Sequence, residues 1–313
     1  MRKLISYFII PLFVCSMSIY AKPQNESTTQ SMNASGTTSN QTDLEKAALN
    51  GNADAQHKLA LNYLKKKENK IAFEWFLKAA KQNKIESQYY LGWMYNYGEG
   101  VPRDLKEAEK WFKKAANEKH APSMFLLAII YQSKDSNFQN YDEALKIYRY
   151  LAENNHFSLA QTQLGEMYEL GQGVAVDEQM AIKWYTLAAE NGDPYAQYLL
   201  AGKYLNGKGV KKDDERSFHW YLKSAENGFD KAQSMVAINY YLGIAPIKKD
   251  YVAAYMWLTL SWEPRIKKIP AMVELKRDLE NVMTSEQMTE AKRRAKEWKP
   301  KSDSIYNKRG TSN

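Results

Sequence analysis

The sequence predicts an all-α chain, a right-handed α-solenoid superhelix of about six helix-turn-helix repeats with a C-terminal capping helix. Three observations carry this. A tyrosine recurs at Tyr63, Tyr95, Tyr131, Tyr168, Tyr204 and Tyr240, at intervals of 32, 36, 37, 36 and 36 residues. Three positions before each stands a small residue: Ala60, Gly92, Ala128, Gly165, Ala201 and Ala237. Downstream, a second small residue (Ala72, Ala108, Ala144, Ala181, Ser217, Ala254) precedes by three the pairs Trp75-Phe76, Trp111-Phe112, Ile147-Tyr148, Trp184-Tyr185 and Trp220-Tyr221, and then Trp257. Six copies in register are a stacked repeat, whose units bury their apolar faces only against one another.

The chain begins with a different kind of segment. Arg2 and Lys3 precede an apolar run from Leu4 to Val14, and Ala21 closes a cleavage site, so residues 1–21 read as a secretory signal. A retained anchor is the rival reading, but the run is short for a bilayer and holds Pro11. A lipid-attachment site at Cys15 is a poor match, because bulky Val14 precedes it. Export implies a periplasmic or secreted protein. Residues 22–43 are rich in Asn, Gln, Ser and Thr, and are expected to be a disordered linker. Its Asn-x-Ser/Thr triplets at Asn25, Asn33 and Asn40 read as chance in such a tract.

Within residues 44–262 each copy reads as two helices. Ser87, Leu91 and Tyr95 share one face at spacing four, and Gly92 admits a close neighbour. Gly98, Gly171 and Gly207 are placed to end first helices in a left-handed cap. Asp104, Asn140, Asp177, Asp213 and Asp250 are placed to N-cap second helices, with Glu107 and Glu143 at capping-box spacing from the first two. After Trp262 the period ends. Residues 263–299 read as capping helices, the last opened by Thr284-Ser285-Glu286-Gln287, and residues 300–313 as a frayed tail.

The units resemble the Sel1-like repeat family, relatives of the tetratricopeptide repeats. Ala196-Gln197-Tyr198-Leu199-Leu200, Gly207-Lys208-Gly209-Val210, Asp213, Trp220-Tyr221 and Ser224-Ala225-Glu226-Asn227-Gly228 follow the family's unit closely. So does the stretch from Ala160-Gln161 to Ala188-Ala189-Glu190-Asn191-Gly192. Units one and three lack the glycine turn, and unit six replaces it with Gly243-Ile244-Ala245-Pro246. The resemblance implies that first helices line a concave groove. It places His57, Tyr89, Trp93, Phe125, Thr162, Glu166 and Tyr198 there, joined by Asn96, Gln132, Glu169, Leu205 and Tyr241 one past the repeated tyrosine. Tyr89, Trp93 and Phe125 then stand as aromatic anchors for a protein or peptide, unless tight coiling buries them between neighbouring first helices.

Composition narrows the chemistry. One cysteine among 313 residues excludes a disulfide framework or multi-Cys metal site. The Gly-x-Gly-Val turns are not followed by Gly-Lys-Ser/Thr, and no Ser-x-x-Lys or His-Glu-x-x-His occurs. His120 and His156 lie one repeat apart without a clear third ligand. No catalytic residue, metal or cofactor is assigned. Residues 265–313 hold 13 basic and 7 acidic side chains, whereas the repeats are balanced, which argues against nucleic acid. The basic residues Lys292, Arg293, Arg294 and Lys296 offer an alternative, contact with envelope glycan or anionic lipid. The bland reading is a solvated helix face. A hydrolase is the remaining alternative, requiring a pocket that joins Glu166, Glu169 and a histidine. The expected function is an exported, non-catalytic scaffold or adaptor for a protein or peptide.

Overall fold

In a computed structural model of the protein, residues 37–134, 137–154, 156–244, 247–261 and 269–301 are described, with side chains from Thr42 onward. The signal segment, Cys15, Ala21, Asn25, Asn33, Trp262 and residues 302–313 lie outside them.

The described residues form fifteen helices and no strand. They are α1 (Thr37–Leu49), α2 (Ala53–Lys65), α3 (Asn69–Lys81), α4 (Ile85–Tyr97), α5 (Leu105–Asn117), α6 (Ala121–Gln132), α7 (Tyr141–Asn154) and α8 (Ser158–Leu170). Then follow α9 (Glu178–Glu190), α10 (Pro194–Asn206), α11 (Asp214–Glu226), α12 (Asp230–Leu242), α13 (Tyr251–Leu260), α14 (Pro270–Val282) and α15 (Ser285–Glu297). This is an all-α solenoid of six helix pairs, α2–α3 through α12–α13. Packing divides it into two compact units, the division falling between Leu151 and Ala152 inside α7.

The first unit begins earlier than the composition suggests. Residues 37–43, expected as linker, are helical and continue into α1. Ala48 is fully buried, and with Leu44 and Ala47 it packs on Ala55, Leu59, Tyr63 and Trp75 of the first pair. Helix α1 therefore serves as a second helix with no first helix described before it. In the next pair, Gly92 lets the Phe112 ring approach so closely that a Cβ there would sit 2.6 Å from its Cδ1. Phe112, Ala108 and Ala115 are wholly buried beneath it.

In the second unit the same device recurs. A Cβ on Gly165 would meet the Tyr185 ring, 2.5 Å from Cδ1. Tyr185 is fully buried with Ala181, Ala188, Ala196 and Leu200. Burying such a side chain contributes about 2–3 kcal/mol. First helices α4, α8, α10 and α12 end on Gly98, Gly171, Gly207 and Gly243, all left-handed with φ between 64° and 71°. Asp104, Asp177, Asp213 and Asp250 accept backbone N–H bonds at the starts of α5, α9, α11 and α13. Asp104 and Asn140 make only half of a capping box, because Glu107 and Glu143 turn to Lys110 and Lys146. The reciprocal box forms at α15, between Thr284 and Gln287. Beyond α15 the chain is held: Trp298 stacks edge-on against Trp257, and Lys301 bonds Glu226 through its backbone N–H and its ammonium. The frayed tail expected from residue 300 thus starts no earlier than residue 302.

Candidate functional site

A glutamine near the start of five of the six first helices ties the stack together, the third carrying Met124 instead. Gln56, Gln161, Gln197 and Gln233 donate through Nε2 to the carbonyls of Ala48, Ala152, Ala189 and Ala225, near the ends of the preceding helices. In return their Oε1 atoms accept from the residues closing their own repeats: Gln82 to Gln56 at 2.8 Å, Asn191 to Gln161 at 2.9 Å and Asn227 to Gln197 at 3.0 Å. These bonds fix how neighbouring first helices lie, and so fix the surface they offer.

That surface differs from an open aromatic groove. His57, Trp93, Phe125, Gln132 and Thr162 are buried, and the remaining seven predicted positions are half-buried. Trp93, 5% exposed, packs against Tyr97, and Phe125, 2% exposed, packs against Tyr148. Of the two readings, burial therefore holds for Trp93 and Phe125, and their role as exposed anchors is corrected. His57 Nδ1 and Ser87 Oγ lie 2.8 Å apart, Gln132 accepts from Tyr148 O–H, and Thr162 donates to Ser158 O and Asp193. Tyr89 lies among Tyr90, Phe112 and His120, and burial holds its phenol well above the usual range. Tyr198 packs on Tyr221 and Phe229. Tyr241 donates to Asp278 of α14, Asn96 accepts from Arg103 through its backbone carbonyl, and Leu205 is half-buried.

The exposed large apolar side chains on the described first helices are others. Tyr97 is 37% exposed and Leu170 is 44% exposed, at equivalent last positions of α4 and α8. They stand one turn beyond Trp93 and Glu166, so the spacing that picked out those two residues also points to them.

The second unit holds a polar network around Glu166 and Glu169. Glu169 accepts from Tyr185 O–H at 2.9 Å and pairs with Lys203 at 2.8 Å. Buried Lys203 also pairs with Glu178, which Lys208 approaches at 3.0 Å. Glu166 accepts from Tyr195 O–H and Gln163 Nε2, both at 2.7 Å. Burial pushes its carboxyl up to about 7, helped by Glu169 and Asp193 and opposed by the two donors. Asp193, capping α10 through Ala196 N–H, is likewise pushed to about 7 by burial. The hydrogen-bonding partners of Glu166 and Glu169 are tyrosines, a glutamine and lysines. The histidine that acid–base hydrolysis would need is not among them.

His120 Nδ1 and Ser123 Oγ lie 2.8 Å apart, and burial lowers the histidine pKa, while His156 is exposed. Among the described residues no three His, Cys, Asp or Glu side chains are grouped to hold a metal. No helix among them is long and apolar enough to cross a membrane. On α15 the basic patch is half neutralised. Arg293 binds Glu290 through two nitrogens and also reaches Glu297, and Arg294 binds Glu290. The two arginines hold Glu290 down at about 2, leaving Lys292 and Lys296 as exposed cations.

Stacked helix pairs tied by a glutamine ladder define an α-solenoid of the helical-repeat class. The Sel1 repeat matches residues 53–84, 85–120, 121–156, 158–193, 194–229 and 230–261, and the chain belongs to the Sel1 repeat family. A Sel1 repeat protein from Oxalobacter formigenes is 32% identical, with a TM-score of 0.63, over 72% of this chain and 96% of its own. The protective antigen c5321 of uropathogenic Escherichia coli, which displays the same repeat fold, is 26% identical with a TM-score of 0.50. That match covers 82% of this chain and 63% of the antigen. A search of the curated proteins found no match. Sel1 repeat proteins are in general protein-interaction scaffolds.

Proposed function

We propose that the protein is an exported, non-catalytic adaptor that binds a protein or peptide through the outward side chains of its first helices. The observation that carries this is the mixed character of that surface. Exposed Tyr97 in the first unit and Leu170 in the second hold the same register, and each unit's first helices also carry half-buried apolar side chains, Tyr89 and Ile129 in the first and Tyr198 and Leu199 in the second. Apolar side chains held partly in water by a rigid ladder suit a binding face, since little ordering is left to do on association. The envelope reading draws less support, because Arg293 and Arg294 are engaged within their own helix.

The test begins with a partner identified by crosslinking the mature chain and mass spectrometry, then purified. Tyr97→Ala and Leu170→Ala are expected to weaken binding about tenfold or more at whichever position contacts it, with helicity and melting unchanged. Full affinity in both, with loss in Lys292→Ala/Lys296→Ala, moves recognition to α15.

A further inference from the structure

We infer that the first-helix face of repeat four recognises a basic side chain of the partner, arginine or lysine, with Glu166 as its counterion. The inference rests on the adaptor reading above and names the chemistry of what is bound.

Glu166 occupies a register that is otherwise uncharged: Leu61, Trp93, Ile129, Gly202 and Ile238 are its equivalents. A carboxylate placed there desolvates without gaining a core contact. Its charged neighbours in the network are compensated, Glu169 and Glu178 by Lys203 and Lys208. Asp193 is buried at 3% exposure, out of reach of a partner, and its Oδ1 accepts from Ala196 N–H and Thr162 O–H. Glu166 differs, because both its partners, the Tyr195 hydroxyl and the Gln163 amide, are neutral. Each of its oxygens receives one hydrogen bond and retains a second acceptor site.

The surroundings select the kind of cation. Leu170, 44% exposed, lies one turn along the same helix from Glu166. An inorganic ion gains nothing from such a side chain. A lysine or arginine lays its aliphatic stem along apolar surface and presents its head to an acceptor. Charge-assisted bonds to a poorly hydrated carboxylate are the strong kind, and a guanidinium can engage both oxygens together.

A random-peptide library displayed on phage, selected in parallel on the whole mature chain and on Glu166→Gln, tests this. The amide keeps an acceptor for the Tyr195 hydroxyl, and equal melting temperatures establish that the variant folds. The expected result is enrichment of arginine or lysine at one peptide position on the native chain and loss of that preference on the variant. An enriched basic peptide then binds Glu166→Gln at least tenfold more weakly by fluorescence anisotropy. Enriched peptides without a basic preference, or a preference that survives in Glu166→Gln, overturn the inference while leaving the adaptor reading intact. Failure to enrich any peptide overturns both.

Discussion

Gln88 Oε1 is buried without a hydrogen-bond donor, and Glu118 stands where Asn191 and Asn227 donate to the equivalent glutamines. The second repeat reverses the usual order, reading Asn117-Glu118 where the fourth reads Glu190-Asn191. A carboxylate cannot donate, so this rung of the ladder is incomplete. Glu118→Asn is expected to supply it and to stabilise the chain by about 1 kcal/mol. The reciprocal change, Asn191→Glu, orphans Gln161 Oε1 and is expected to cost about 1–3 kcal/mol. Urea melts of the two variants check the opposite signs, and a neutral Glu118→Asn would show that Gln88 has another donor.

Gly165→Leu tests the close approach of α8 and α9. The Tyr185 ring occupies the place of any Cβ. Overpacking costs about 1–3 kcal/mol, against roughly 1 kcal/mol gained from leucine's better helix propensity. A melting temperature equal to or above that of the native chain would refute the packing argument.

Acid should strengthen the second unit. Glu166 and Asp193 titrate near 7 when folded, against ordinary values of 4.5 and 3.8. The folded chain therefore binds protons more tightly than the unfolded one, and stability falls as pH rises from about 4 to above 7. Half-buried His120, whose pKa is lowered by burial, works in the opposite direction below about 6.5. The comparison is accordingly between variants: Glu166→Gln should lose part of the difference between pH 5.5 and pH 8, about 2 kcal/mol or less. An unaltered pH profile would mean that water reaches this carboxylate freely.

Processing after Ala21 is expected to leave Lys22 as the first residue of exported material. N-terminal sequencing of the protein from periplasm or medium checks it. An intact Met1 on membrane-retained protein would instead favour the anchor.

The repeat architecture was legible because the small residues and their aromatic partners recur at a fixed register, and packing requires both at each unit. Helix α1 was legible too, since Ala47-Ala48-Leu49-Asn50-Gly51 copies the ending Ala188-Ala189-Glu190-Asn191-Gly192, but the polar tract before it masked the resemblance. For Trp93 and Phe125 the sequence left exposure and burial both open. Helical spacing tells which way a side chain leaves its helix and not how far the neighbouring repeat reaches over it. Lys203 stands where other first helices carry Met94, Ile130 and Met167, and its burial depends on Glu178, 25 residues earlier. No local pattern encodes that pairing.

The glutamine ladder also bears on how such a chain can lengthen. Gln197 reaches back to Ala189 and Gln233 to Ala225, while Asn227 closes repeat five upon itself. A tandem copy of residues 194–229 would meet the same carbonyl behind it and offer the same carbonyl ahead. Gene duplication of one whole unit would thus leave every rung occupied, whereas loss or gain of part of a unit would strand a glutamine on each side. Relatives of this chain should accordingly vary in length by complete repeats.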